Sequence, residues 1–203
     1  MANASHSFRK NYEKGVEQFY ESHGDHYRNP HEPVLRKIFR NLLGRWSRQI
    51  SFRRTLDLAC GSGEASLFVK EFFEKQGFTV AVGTVPEELP EGQDLTIFIE
   101  GADPFTADAF EERLGVAAST YSFEDIEEGV LSDRGVRYDT IICSYALHLV
   151  EPTRMLGTCQ QLAMSAAHLI VVTPHKKPDI TVAMGWVATE EYSYFKQQYQ
   201  WIG

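Results

Sequence analysis

A chain of 203 residues that is 43% hydrophobic and 12% aromatic has enough apolar surface for one sizeable core, which predicts one globular domain with additions. A formal net charge of −8 and a sequence pI of about 5.4 speak against broad phosphate-backbone binding, so nucleic acid is not an expected partner. No run of 18 apolar residues occurs, and the opening MANASHSFRKNYEKG lacks the apolar centre of a secretory signal; the expectation is a cytoplasmic protein with no membrane contact.

Cys60, Cys143 and Cys159 are odd in number and lack metal-ligand spacing, so they read as reduced thiols and no metal site is expected. Charge is uneven along the chain. Residues 1–54 hold 11 Lys/Arg against 5 Asp/Glu, a balance of +6, which leaves −14 for the remainder. The division that follows is a helical arm or lid over 1–50 and a core over 51–203.

In chain order, FRKNYEKGVEQFYESHGDHY predicts a helix interrupted by Gly15 and Gly24, and EPVLRKIFRNLLGRWSR predicts an amphipathic one, with Val34, Leu35, Ile38, Phe39, Leu42, Leu43 and Trp46 on one stripe. RTLDLAC follows as a buried strand, EASLFVKEFFEKQG as a helix, and GFTVAVGTVPEELPEGQDLT as a surface insertion with a short strand TVAVG. LTIFIEGAD predicts a strand, and TADAFEERLG a short helix capped by Thr106 and ended by Gly115. VAASTYS is a further candidate strand. YDTIICS and HLIVVT are strong strands flanking the helix PTRMLGTCQQLAMSAA. The C-terminal stretch offers one strand, ITVAMGWV, and then an aromatic-rich helix or coil. Strands alternating with helices predict a doubly wound, mostly parallel α/β sheet with N-terminal helices, whose ligands bind at the carboxyl ends of the strands.

The turn in TLDLACGSGEAS, residues 55–66, brings backbone close to a ligand because neither Gly61 nor Gly63 has a Cβ. A dinucleotide fold wants a third glycine where Ser66 stands, and the Gly-Lys-Ser/Thr ending of a Walker loop is missing. The segment LDLACGSGEAS resembles the first motif of the class I S-adenosylmethionine-dependent methyltransferases, in which an acidic residue in the first strand precedes a Gly-x-Gly turn. The likeness runs over residues 27–175.

The resemblance implies a Rossmann-like methyltransferase fold, S-adenosyl-L-methionine as cofactor, and Asp57, Ala59, Cys60, Gly61, Ser62 and Gly63 around it. It implies that Asp103, next to Pro104, accepts from both ribose hydroxyls, with Glu100 as the runner-up. In YSFEDIEEG it sets Ser122 near the adenine amino group and the Phe123 backbone near the ring, with Glu124 and Asp125 as neighbouring alternatives; many members have Asp where Ser122 stands. Cys143 and Ser144 pass beneath the methionine part, followed by Tyr145 and His148. In HGDHYRNPHEP, the residues Tyr27, Arg28, Asn29 and His31, with Tyr20 upstream, are the contacts of a closing segment.

Methyl transfer is a displacement at an already activated carbon, so a base is optional; if one acts, the candidates are His148, His175 and His31, with Tyr145 orienting the acceptor. The expected partner is a small-molecule or protein methyl acceptor. Base methylation is not expected, because CSYA replaces the Asn/Asp-Pro-Pro-aromatic motif. The irregular C-terminus keeps a second reading open, a non-catalytic S-adenosylmethionine-binding or regulatory partner domain.

Overall fold

The computed structural model describes residues 27–173, 178–194 and 197–202. The helix expected upstream of Tyr27, and with it most of the arm, lies outside the described residues. The first described helix, α1 (Glu32–Trp46), carries Pro33 in its first turn and buries Leu35, Ile38, Phe39, Leu42 and Leu43, the stripe its spacing sets on one face.

The chain then runs β1 (Arg54–Leu58), α2 (Glu64–Glu74), β2 (Thr79–Val82), β3 (Thr96–Ala102), α3 (Ala107–Leu114), α4 (Phe123–Glu127), α5 (Val130–Asp133), β4 (Tyr138–Ser144), α6 (Met155–Ser165), β5 (Ala166–Thr173), β6 (Ala188–Tyr194) and β7 (Gln197–Ile202). Seven strands form one sheet in the order β2-β3-β1-β4-β5-β7-β6, with β1 to β5 parallel and β7 antiparallel to both its neighbours.

Alternate residues of the central strands feed two separate cores. Ile142, Ile170 and Val172 pack with α1 and α2 on one face, while Ile141, Cys143, Leu169 and Val171 pack with α6 on the other. A sheet covered on both faces has no solvent side, which is why these strands read as unbroken apolar runs. Gly101 on β3 fits this packing because a Cβ there would run into the Phe110 ring of α3, itself fully buried. Gly101→Ala is expected to cost about 2 kcal/mol by overpacking, read as a lower urea midpoint; an unchanged midpoint would refute this contact.

Several expectations need correction. VAASTYS is not a strand: only Ser119 bridges to Ala102, its N–H donating to Gly101 O and its carbonyl accepting from Asp103 N–H, both at 2.8 Å. The outer edge of β3 is already taken along Thr96 to Ile99 by β2, the strand inside the insertion. The link from β2 to β3 contains no helix, so alternation of strand and helix breaks there.

ITVAMGWV is not a strand either. Trp186 is buried with its indole N–H on Cys159 O at 2.9 Å, and this anchor bends the segment into a 3-10 turn over α6 that leaves Val182 and Val187 exposed. The residues beyond it, expected as helix or coil, form the antiparallel pair β6 and β7 that completes the sheet. Thr106 precedes α3 but makes no side-chain cap; its hydroxyl donates to Gly61 O at 3.0 Å. Among the described residues, no helix is long and apolar enough to cross a membrane, and no group of three His, Cys, Asp or Glu is disposed to hold a metal ion.

Candidate functional site

A cleft of about 380 Å³ opens at the carboxyl ends of β1, β3 and β4, a volume within the range of small-molecule sites. Its backbone is strained where those strands end. Ala59 after β1 and Tyr145 after β4 have φ of 53° and 59°, they are the non-glycine residues in the left-handed region among the described residues, and both line the cleft. Each such residue costs on the order of 1 kcal/mol and persists only where its surroundings over-determine it. Here the neighbouring strands do so: Cys60 N–H donates to Ala102 O at 3.2 Å and Tyr145 N–H to Val172 O at 2.7 Å.

Asp57 holds the glycine turn from below. Its Oδ2 accepts from the Ser66 N–H at 2.9 Å and the Ser66 hydroxyl at 2.7 Å, tying the first turn of α2 to β1. That is the role of the serine found where a third glycine would stand. The carboxyl is fully buried, and burial pushes it up to about 7, outweighing the lowering effect of the Ser66 hydrogen bonds.

Asp103, at the end of β3, is a fixed acceptor. Its Oδ1 accepts from the N–H groups of Phe105 at 2.9 Å and Thr106 at 3.0 Å, and its Oδ2 from Gly61 N–H at 3.2 Å. A carboxylate has about four lone-pair positions, so one position remains open on Oδ2 of a residue that lines the cleft. Glu100, the alternative to Asp103, is turned away: it is buried with Arg134 at 2.6 Å and the Tyr138 and Ser119 hydroxyls at 3.0 and 2.8 Å. Three residues along the chain separate the two carboxylates.

Of the other expected site residues, Ala59, Gly61, Pro104, Ser122, Phe123 and Glu124 line the cleft, joined by Ser144, Tyr145 and Tyr27. Cys60, Ser62, Gly63 and Cys143 are buried and lie, like Asp57, behind the lining. Ser62 donates to Glu64 at 2.6 Å, and Gly63 leaves no room for a Cβ, which would sit 2.5 Å from Leu114. Burial raises the Cys60 and Cys143 thiols well above their usual range, which leaves them unionised. Ser122 donates to Asp125 Oδ2 at 2.7 Å and accepts from Asp125 N–H at 3.1 Å, a reciprocal cap that occupies its hydroxyl at the start of α4.

The segment before α1 is strapped across the turn. The Tyr27 ring lies against Gly61, where a Cβ would stand 2.9 Å from Cε1, and the His31 ring stacks on Tyr145 with centroids 5.3 Å apart. Asn29 N–H donates to Glu64 at 3.0 Å, Arg28 pairs with Glu112 at 3.1 Å, and Arg113 joins Glu32 at 2.7 Å to Glu64 at 3.4 Å. His148 is half-buried on the 3-10 turn after Ala146 and is not part of the lining; His175 and Tyr20 lie outside the described residues.

No family model matches the chain. An uncharacterized protein of Schizosaccharomyces pombe is 35% identical over 210 residues, covering 93% of this chain and 83% of that protein. Magnesium protoporphyrin IX methyltransferase of Synechocystis PCC 6803, solved with bound SAM, superposes with a TM-score of 0.53 at 16% identity over 99% of this chain and 96% of that one. The chain belongs to one family with the yeast protein, and its fold is that of the class I S-adenosylmethionine-dependent methyltransferases. An O-methyltransferase family protein of Burkholderia thailandensis shares that fold at a TM-score of 0.52 and 13% identity, over 85% of this chain and 60% of that one.

Within this methyltransferase fold the cleft also takes Phe105, Tyr121, Leu149 and Glu151, which sequence reasoning missed. Tyr121 had a signal, since it adjoins Ser122 in the quoted segment. Leu149 and Glu151 had none, because only the irregular turn after β4 carries them to the cleft.

Proposed function

We propose that the protein is a cytoplasmic methyltransferase that moves a methyl group from S-adenosylmethionine to a small molecule or a protein side chain. The observation that carries this reading is Asp103: a carboxylate held by three backbone N–H groups, with an acceptor position left open in a cleft floored by strained backbone. Such a group suits a ribose hydroxyl. The aromatic walls from Phe105, Tyr121 and Phe123 suit a base, and Gly61 and Ala59 let the backbone approach the rest of the ligand.

The bound sulfonium supplies an activated methyl carbon, so the chain's own work is alignment and exclusion of water. Tyr27 and the strap of residues 28–32 close one side, held by Arg113 and Glu64. Where an acceptor must lose a proton, the geometry favours His31 over His148, since His31 stacks on the cleft residue Tyr145 and His148 is set back from the lining. The reading as a non-catalytic partner domain rested on an irregular C-terminus, and the regular antiparallel pair β6 and β7 removes that ground.

The test is incubation of the protein with methyl-labelled S-adenosylmethionine and separate small-molecule and protein fractions, reading S-adenosylhomocysteine and labelled product. Label transferred to either fraction, lost in Gly61→Val, supports the proposal. Cofactor binding with no transfer to any fraction would return the reading to a non-catalytic domain.

A further inference from the structure

The geometry points to Arg134 as a positioning residue of the cleft, one that holds the Tyr121 ring as the wall against which a ligand's planar base lies. This rests on the nucleoside-bearing ligand proposed above. Tyr121 lines the cleft, and the Arg134 guanidinium carbon stands 5.5 Å from its ring centroid, within the range of a cation–π contact. Arg134 itself is not free to drift. Its Nη1 donates to Glu100 Oε1 at 2.6 Å and to the Tyr138 hydroxyl at 2.9 Å, and that hydroxyl in turn donates to Glu100 Oε2 at 3.0 Å.

Glu100 is 2% exposed and Tyr138 is 1% exposed, so the anchor sits in the core. Ser119 adds its hydroxyl to Glu100 at 2.8 Å, and Val85 N–H adds a longer contact at 3.3 Å. Buried carboxylates are tolerated when hydrogen-bonded and paired on all sides, as here. An ion pair alone would satisfy that charge in any orientation. The arrangement found places the guanidinium carbon over a ring that is itself a wall of the cleft, and a planar, always-charged group with several donors is suited to bond a carboxylate while lying near an aromatic ring.

Strand β3 thereby serves the cleft twice. Its end presents Asp103 to the cleft directly, while Glu100, three residues earlier, acts at a distance through Arg134 and Tyr121. Freed of Arg134, the Tyr121 side chain would have other rotamers open to it, and a ligand would have to order it on binding.

The experiment is a double-mutant cycle read by calorimetric titration with S-adenosylhomocysteine, with urea stability measured alongside. Arg134→Met and Tyr121→Leu are each expected to weaken binding by about fivefold to tenfold, and the double variant to bind no worse than Tyr121→Leu alone. Arg134→Lys keeps a charge for Glu100 but loses the guanidinium that reaches both Glu100 and the Tyr121 ring; it is expected to recover stability while binding stays weakened. Losses that multiply in the double variant, or an Arg134→Lys that binds as the native protein does, overturn the positioning role, and the lysine variant serves this purpose even if Arg134→Met does not fold. A native protein that binds no S-adenosylhomocysteine overturns the ligand reading and this proposal with it, whereas native binding unchanged in Arg134→Met overturns the positioning role alone.

Discussion

Asp103→Ala is expected to lower the affinity for S-adenosylmethionine at least 100-fold, with the protein still folded. The variant removes one open acceptor position and also releases the N–H groups of Gly61, Phe105 and Thr106, which define one wall of the cleft. Hydrogen bonds to a charged group contribute roughly 1.5–3 kcal/mol each, so losing a direct contact together with the geometry of the wall accounts for about 3 kcal/mol, or two powers of ten. Asp103→Asn keeps an oxygen for Phe105 and Thr106 but drops the charge, and about a tenfold loss is expected. Calorimetric titration of both variants checks the order. An Asp103→Ala protein that binds as tightly as the native one would remove the carboxylate from the site.

The second large effect concerns stability and pH. Asp57 has a folded-state value near 7 against 3.8 for an exposed carboxyl, and the cause is its complete burial. As pH rises through 4, the unfolded chain releases this proton while the folded chain keeps it, so unfolding gains. Stability from this group is therefore full below about pH 4, is lost progressively up to about pH 7, and is level above, with a total swing of at most ~4 kcal/mol. Among the described residues Asp57 Oδ1 has no hydrogen-bond partner, so only the two Ser66 bonds to Oδ2 offset the charge once it forms. Asp57→Asn retains an oxygen for Ser66 and does not titrate. Urea unfolding from pH 4 to 8 should show the asparagine variant gaining on the native protein by about 2–4 kcal/mol across that range, and parallel profiles for the two proteins would contradict the assignment.

Much of this was legible in the sequence because the physics was local. The apolar stripe of α1, the buried runs of β1, β4 and β5, and the glycine turn depend on spacing within ten or so residues, and the fold follows their order. What was not legible depended on distant partners. Ser66 reads as a missing glycine until Asp57 is found beneath it. ITVAMGWV has the composition of a strand, and only the seat of Trp186 on Cys159 shows why it is not one.

The cleft shows the same division. Asp103 was legible as a cleft residue because a carboxylate follows a strong strand, whereas the place of Glu100 was not, since β3 faces it into the Arg134 pair. Ser122 lines the cleft, but its hydroxyl is engaged by Asp125 three residues on, a pairing the residues Ser-x-x-Asp could have announced. The contacts of Tyr27 with Gly61 and of His31 with Tyr145 span more than thirty residues, and no spacing rule reaches that far.

The central claim is that the cleft between β1, β3 and β4 binds S-adenosylmethionine. The most direct measurement is calorimetric titration of the native protein with S-adenosylmethionine and with S-adenosylhomocysteine, beside Gly61→Val, whose side chain would meet the Tyr27 ring at a left-handed backbone position. The account predicts saturable binding of both ligands at one site per chain, abolished in the valine variant. No heat of binding from either ligand with the native protein, or undiminished binding in Gly61→Val, would contradict it.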